Sequence, residues 1–330
     1  MSAEPQAPQR AVWHRFKRPA LWVISAALLF VLYRKADWQQ VLAALGSLHV
    51  GWLLAALSLF VPQTLLSAWR WQVLIRPLSP LTLAQSLRHT LIASAFNLIL
   101  PSKLGDYSKV GLLPHLDSRH RLAAAGWATL EKASDVAALL VWLAVGWLRL
   151  PVYIAVSLPV VLWWGMCTFR VHKFDADGRS WWQQVILLAP FSLSLWGLHL
   201  LQIDWMLKSA GVCPPWEDSL SRIPLAIFAG LLPISAMGLG TRDAALVYLF
   251  SPWGSSSSLA AVGLLTALRY LLPGTAGILC LTCWRTPTSS RDVESEKGFV
   301  AGVDAVGEET VLPLEDGWGE GLQQDCLSSK

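Results

Sequence analysis

Leu100-Pro101-Ser102-Lys103-Leu104-Gly105-Asp106 and Leu232-Pro233-Ile234-Ser235-Ala236-Met237-Gly238-Leu239-Gly240-Thr241-Arg242-Asp243 share one pattern. Each follows an apolar run, opens Leu-Pro, passes through small or polar residues and glycine, and ends on an acid. The offset between them is 132 residues. Proline removes a backbone donor and glycine loosens the chain, so both stretches interrupt helices. Such backbone cannot face lipid, where each unpaired polar group costs several kcal/mol. At membrane depth it is tolerated only inside protein or along a polar cavity. Interruptions at corresponding positions of two halves point to a substrate path between inverted repeats.

The rest of the chain supports a membrane reading. Hydrophobic residues make up 54% of it and charged residues only 15%, which excludes an ordinary soluble domain. Mean hydropathy is +0.46. Several apolar runs approach the roughly 20 residues a helix needs to cross hydrocarbon. Nineteen tryptophans suit two membrane–water interfaces, and Trp52, Trp69, Trp71, Trp147, Trp163, Trp164, Trp181, Trp182, Trp253 and Trp284 fall at or near expected span ends. The net charge of +4 hides a split. Residues 286–330 hold three basic and ten acidic side chains. Removing these from totals of 26 and 22 leaves 23 basic and 12 acidic in the first 285, a body of +11 against a tail of −7. The positive charges are scattered among loops without a reader motif, so nucleic acid is not an expected partner.

Arg10, Arg15, Lys17 and Arg18 place the N-terminus in the cytoplasm under the positive-inside rule, ahead of a first span over about 19–34. No small-residue cleavage site follows this segment, which is therefore expected to remain as a helix. An amphipathic connection over 36–48 leads to a second span, about 49–69, ending at Arg70 with Arg76 nearby. Residues 82–113 are expected to dip in and return, because a simple crossing would leave Lys103, Lys109, Arg119 and Arg121 outside. Spans follow over 122–147, 150–169 and 185–207. A second broken segment covers 220–253, and a last span, about 259–284, returns the tail to the cytoplasm. The fold class is thus all-α and polytopic: six crossings plus two hairpins, or eight helices if the broken segments cross fully. The segments are 1–18 cytoplasmic, 19–284 transmembrane with repeat halves 19–147 and 150–284, and a disordered acidic tail over 285–330.

Glu131, Lys132 and Asp135 lie inside an expected span, where each charge costs roughly 2.5–3.5 kcal/mol near the centre. Glu131 and Asp135, four apart, share one helix face and call for a cation. Arg88, Lys103, Lys109, Arg242 and Arg269 are the candidates, for a structural network or a transport path. Arg242-Asp243 directly follows Gly238-Leu239-Gly240. A helix starting near Thr241 would turn N–H groups toward an anion, giving with Arg242 a phosphate-binding corner; otherwise Arg242 pairs with Asp243 or Glu131. Asn97 stands before the first break, able to satisfy it or to contact a headgroup. Arg269 should face the bundle interior, and His89 and His199 read as core histidines. Cys280 and Cys283 form a CxxC inside an apolar helix without a second ligand pair, so neither metal nor redox chemistry is read from them. No Walker loop, nucleophile elbow or His-rich set is present, and no cofactor is expected.

At these residues the chain resembles the lysylphosphatidylglycerol synthase transmembrane-region family, a flippase-like integral membrane domain. The resemblance rests on Arg70-Trp71, Asn97 with Leu100-Pro101 and Gly105-Asp106, Glu131-Lys132 with Asp135, and Leu232-Pro233 with Gly238, Gly240 and Arg242-Asp243. It covers about residues 15–285. Asp106 and Asp243 stand where the family usually has Glu, and Lys109 and Lys132 where it tends to have Arg. Lysine lacks the planar fork that grips phosphate in two bonds.

The resemblance implies a protein that moves or binds a polar lipid, without the aminoacyl-transferring domain needed to make lysyl lipid. The expected ligand is an anionic or lipid-linked substrate in the inner membrane. Arg70, Lys103, Lys109 and Arg242 would attract phosphate, while Asp106, Glu131, Asp135 and Asp243 would hold those cations. A membrane-embedded transferase and a scaffold for a partner enzyme remain as alternatives.

Overall fold

The computed structural model describes residues 38–113, 116–168, 181–231 and 240–282. The expected first span, the break at 232–239, Cys283 and the acidic tail lie outside the described residues, as does the side chain of Lys103. All regular structure among the described residues is helical. A short helix, α1 (Trp38–Gly46), leads to α2 (Val50–Ser58) and α3 (Phe60–Ile75), which join at Leu59 into one apolar rod. Next come α4 (Leu83–Asn97), a 3-10 stretch (Pro101–Tyr107) and a helical turn (Ser108–Gly111). The long α5 (Ser118–Trp147), α6 (Val152–Thr168) and α7 (Trp181–Ser209) follow. After α8 (Trp216–Leu231), the chain ends in α9 (Thr241–Phe250) and α10 (Ser256–Thr282).

Val50–Ile75, Ile186–Ser209 and Ser256–Thr282 are long and apolar enough to cross a membrane. The 30 residues of α5 also exceed the length required, at 1.5 Å per residue. Their surfaces are inside-out by the standards of a soluble protein. Val50, Leu54, Val61 and Leu65 recur at helical spacing and are exposed, whereas Gln63 and Arg70 on the same rod are buried. A chain that turns aliphatic side chains outward and hides its charges is built for hydrocarbon. Trp52, Trp69, Trp147 and Trp164 are exposed, in keeping with interfacial anchors. Trp71 differs: it is fully buried, with the Lys109 ammonium 5.3 Å above its ring.

The second span runs farther than the sequence suggests. It was expected to end at about residue 69, with Arg70 in the following loop. Instead α3 continues to Ile75, and Arg70 lies inside it, 2% exposed. A charge normally marks a helix leaving the bilayer; here buried carboxylates neutralise it, so the helix need not stop.

Both interrupted segments fold back on themselves. Thr82 caps α4: the Gln85 N–H donates to Thr82 Oγ1 at 3.2 Å, and the Thr82 N–H donates to Gln85 Oε1 at 2.8 Å. Beyond Asn97 the chain reverses. Gly105 lies so close to Phe96 and Asn97 that any β-carbon would collide with them. Val110 and Leu113 then rejoin Leu81 in a cluster around Trp71, Leu74 and Ile75. In the second half α8 and α9 pack together, and Arg222 Nη1 donates to the Leu249 carbonyl at 2.8 Å.

Two elements recur near the 132-residue offset. Adding 132 to the bounds of α4 gives 215–229, against Trp216–Leu231 for α8; adding it to α5 gives 250–279, against Ser256–Thr282 for α10. They also exchange partners, since α4 packs on α10 while α5 packs on α8. Matching glycines permit both contacts: Gly277 of α10 abuts Leu91 and Ala95, and Gly146 of α5 abuts Leu220 and Ser221. Small residues let backbones approach closely in the absence of a hydrophobic drive between helices.

Candidate functional site

The exchanged packing leaves a cavity of about 150 Å³ between the halves, ample for several waters. Its walls include Gln63, Ser67 and Arg70 of α3, Ser94 and Asn97 of α4, and Glu131, Lys132 and Asp135 of α5. From the second half come His199, Arg242, Arg269 and Tyr270.

Along the first-half wall, charges are matched one for one. Arg70 reaches from α3 to α5, its Nη2 donating to Glu131 Oε1 at 2.7 Å and its Nη1 to Asp135 Oδ1 at 2.5 Å. The same Nη1 donates to Ser192 Oγ at 2.9 Å. Lys109, carried back by the reversal after Gly105, donates to Glu131 Oε1 at 3.2 Å. Lys132 pairs with Asp106 and stands 3.5 Å from Asp135 Oδ2. Asn97 Nδ2 donates to Asp106 Oδ1 at 2.7 Å, tying the end of α4 to the break. Among the described side chains here, three cations meet three carboxylates. Taking such groups out of water costs several kcal/mol per ion, which dense pairing offsets.

Of the cations considered for the Glu131–Asp135 face, Lys109 is in place, while the principal partner is Arg70, which was expected to attract phosphate from a loop. Asn97 ties the break through Nδ2 and also lines the cavity.

Along the second-half wall the count differs. Helix α9 begins at Thr241, preceded by Gly240 at φ +87°, a backbone state open to glycine and strained for other residues. Asp243 Oδ2 accepts from the Gly240 N–H at 3.3 Å, so the chain's own carboxylate occupies this helix start. Arg242 turns back onto Asp243, with Nη2 2.9 Å and Nε 3.2 Å from Oδ1. Arg269 Nη2 donates to His199 Nδ1 at 3.1 Å, which leaves the imidazole proton on Nε2. Both guanidinium centres lie near the Tyr270 ring, at 5.3 Å and 5.5 Å from its centroid. No carboxylate pairs with Arg269 among the described residues. Arg242 Nη1 and Arg269 Nε and Nη1 are buried without hydrogen-bond partners among them.

Sequence reasoning missed Gln63, Ser192 and Tyr270. Gln63, polar within an apolar run, donates to the Leu198 carbonyl at 3.1 Å and to Gln202 Oε1 at 3.3 Å. That isolated polarity was the available signal; Ser192 offered no comparable one. Tyr270 directly follows Arg269, but adjacency alone does not disclose a shared ring. Outside the cavity, Asp117 caps α5 by accepting from the His120 N–H at 2.8 Å. This bond, with the neighbouring imidazole, holds its carboxyl below its ordinary value of 3.8.

Among the described residues, no group of three or more His, Cys, Asp or Glu side chains is placed to hold a metal. No curated protein and no solved structure matches the chain. The model of the lysylphosphatidylglycerol synthase transmembrane region matches residues 21–277, so that both interrupted hairpins and every cavity wall fall within the match; the chain belongs to this family of integral membrane proteins.

Proposed function

We propose that this protein carries the headgroup of a polar lipid or lipid-linked substrate across the inner (plasma) membrane while the acyl chains stay in the bilayer. The observation that supports this reading is the charge-lined cavity between helices of the two halves, with Arg70, Glu131, Arg242 and Arg269 buried in its walls. A bilayer cannot solvate a headgroup at depth; a cavity walled by Arg70, Glu131, Asp135, Arg242 and Arg269 can. The first-half charges keep that wall polar, and the reversal after Asn97 brings Asp106 to it. The basic residues ahead of the first expected span assign the N-terminus to the cytoplasm, and an even number of crossings returns the tail there.

The test is leaflet exchange in reconstituted vesicles carrying a fluorescent headgroup-labelled lipid. The wild-type protein accelerates exchange, and Glu131→Gln or Arg242→Ala abolishes it while eluting as a single folded species. Exchange no faster than in protein-free vesicles overturns the reading. A change in the covalent mass of the lipid replaces it with a membrane-embedded transferase.

A further inference from the structure

We infer that Arg242 and Arg269, both beside the Tyr270 ring, form an anion subsite for a phosphodiester group carrying one negative charge. The inference deepens the carrier reading and rests on it for the ligand being a lipid. Around the cavity, Arg70, Lys109 and Lys132 balance Asp106, Glu131 and Asp135, and Arg242 balances Asp243. Arg269 has no acid. A guanidinium cannot shed its proton in a protein, so this charge persists even when 8% exposed. Its hydrogen-bond partner, His199 Nδ1, is a neutral acceptor and leaves the charge uncompensated.

The unmet donors are directional as well as charged. Arg269 Nε and Nη1 and Arg242 Nη1 form a set of three buried N–H-bearing atoms on residues that line one cavity. Guanidinium forks bind phosphate oxygens in paired hydrogen bonds. Among the described side chains the surplus is a single positive charge. A phosphodiester monoanion cancels it, a zwitterionic headgroup adds no net charge, and a phosphomonoester near −2 overshoots. By the same count Arg70 and Lys109 hold carboxylates and are not the phosphate contacts.

The experiment measures thermal stability and lipid binding, by native mass spectrometry, of the full chain in detergent. The probes are phosphatidylglycerol, phosphatidylcholine and inorganic phosphate. Phosphatidylglycerol should raise the unfolding temperature of the wild type and phosphatidylcholine should not. Arg269→Gln should weaken phosphatidylglycerol binding at least about tenfold. It should also raise the unfolding temperature without lipid, because it removes a buried charge that no described carboxylate offsets, while the glutamine amide can still donate to His199 Nδ1. Arg269→Lys, which keeps the charge, should retain part of the lipid-induced shift. Displacement of phosphatidylglycerol by inorganic phosphate assigns the subsite to the free anion as well; no displacement assigns it to the lipid, and both uphold an anion subsite. Equal shifts from the two lipids, unchanged affinity in Arg269→Gln, or failure of that variant to fold overturns it. Vesicle exchange separates the two readings. Exchange that persists while Arg269→Gln binds normally leaves the carrier and removes the subsite; Arg269-dependent binding without exchange does the reverse.

Discussion

Arg70 and Glu131, 61 residues apart in the chain, meet at 2.7 Å with almost none of either side chain open to solvent. This contact fastens α3 to α5, and through Asp135 and Ser192 the same guanidinium reaches a second carboxylate and α7. Removing one member of a buried pair leaves the other charged and alone, at a cost of about 3–5 kcal/mol. Arg70→Leu should therefore lower the unfolding temperature sharply in detergent. Arg70→Lys should fall between, because an ammonium cannot span both acids with a planar fork. If Arg70→Leu is as stable as the wild type, the network is not what joins these helices.

Glycine substitutions should divide by location. A β-carbon at Gly277 would strike the Leu91 carbonyl, part of a helix backbone that cannot rotate away. Gly277→Ala should cost about 1–3 kcal/mol through overpacking. Gly126, in α5, has open space around it, and Gly126→Ala should be neutral or stabilise by up to about 1 kcal/mol through helix propensity. Thermal unfolding of the two variants side by side checks the contrast.

Gly240→Ala tests the second break. Alanine at φ +87° is strained by about 1–3 kcal/mol, and relaxing it moves the start of α9 that carries Arg242 and Asp243. The variant should lose both stability and leaflet exchange. Gly211, also at positive φ but with no neighbour within 4 Å of a β-carbon and remote from the cavity lining, should lose stability alone when changed to alanine. Parallel melting and exchange assays read the difference.

The cavity should be wet. In a chain stripped of its native cysteines, Ser94→Cys lines the cavity and should react with a small water-soluble thiol reagent. Leu140→Cys, turned outward on α5, should react far more slowly because hydrocarbon excludes the reagent. Equal rates would remove the aqueous compartment on which transport depends.

Asp117 sets a pH dependence outside the bilayer. Its carboxyl is depressed in the folded state by the His120 N–H, so its stabilisation is fully present above the unfolded value near 3.8 and is lost as pH falls through the folded value below that. Amide exchange in the first turn of α5 should rise over that acid window in the wild type. In Asp117→Ala it should already be high above it.

Much of this arrangement can be read from the chain alone. The Leu100-Pro101 interruption, the 132-residue offset and the acids four apart on α5 are local patterns; the first maps to the reversal after Asn97, the second to the matching bounds of α4 and α8, and the third to a charged wall. The identity of the cation facing Glu131 is not local. Several distant arginines and lysines satisfied the same electrostatic demand, and only packing of α3 against α5 selects Arg70. For the same reason the sequence alone ends this span too early: a charge reads as an exit from lipid until its partner is known. Tyr270 carries no formal charge, so nothing in the sequence marked it as the ring beside two guanidiniums.

The outward-turned valines and leucines of α2 and α3 have a further consequence. Lipid tails receive such side chains as readily as a neighbouring helix does, so greasiness keeps the chain in the bilayer but gives its helices no preference for one another. Fidelity of assembly then falls to few atoms: the notches at Gly146 and Gly277 and the forked end of Arg70. Variation across the lipid-facing skin can drift freely among aliphatics, while a single methyl group at a notch is enough to misalign the two halves.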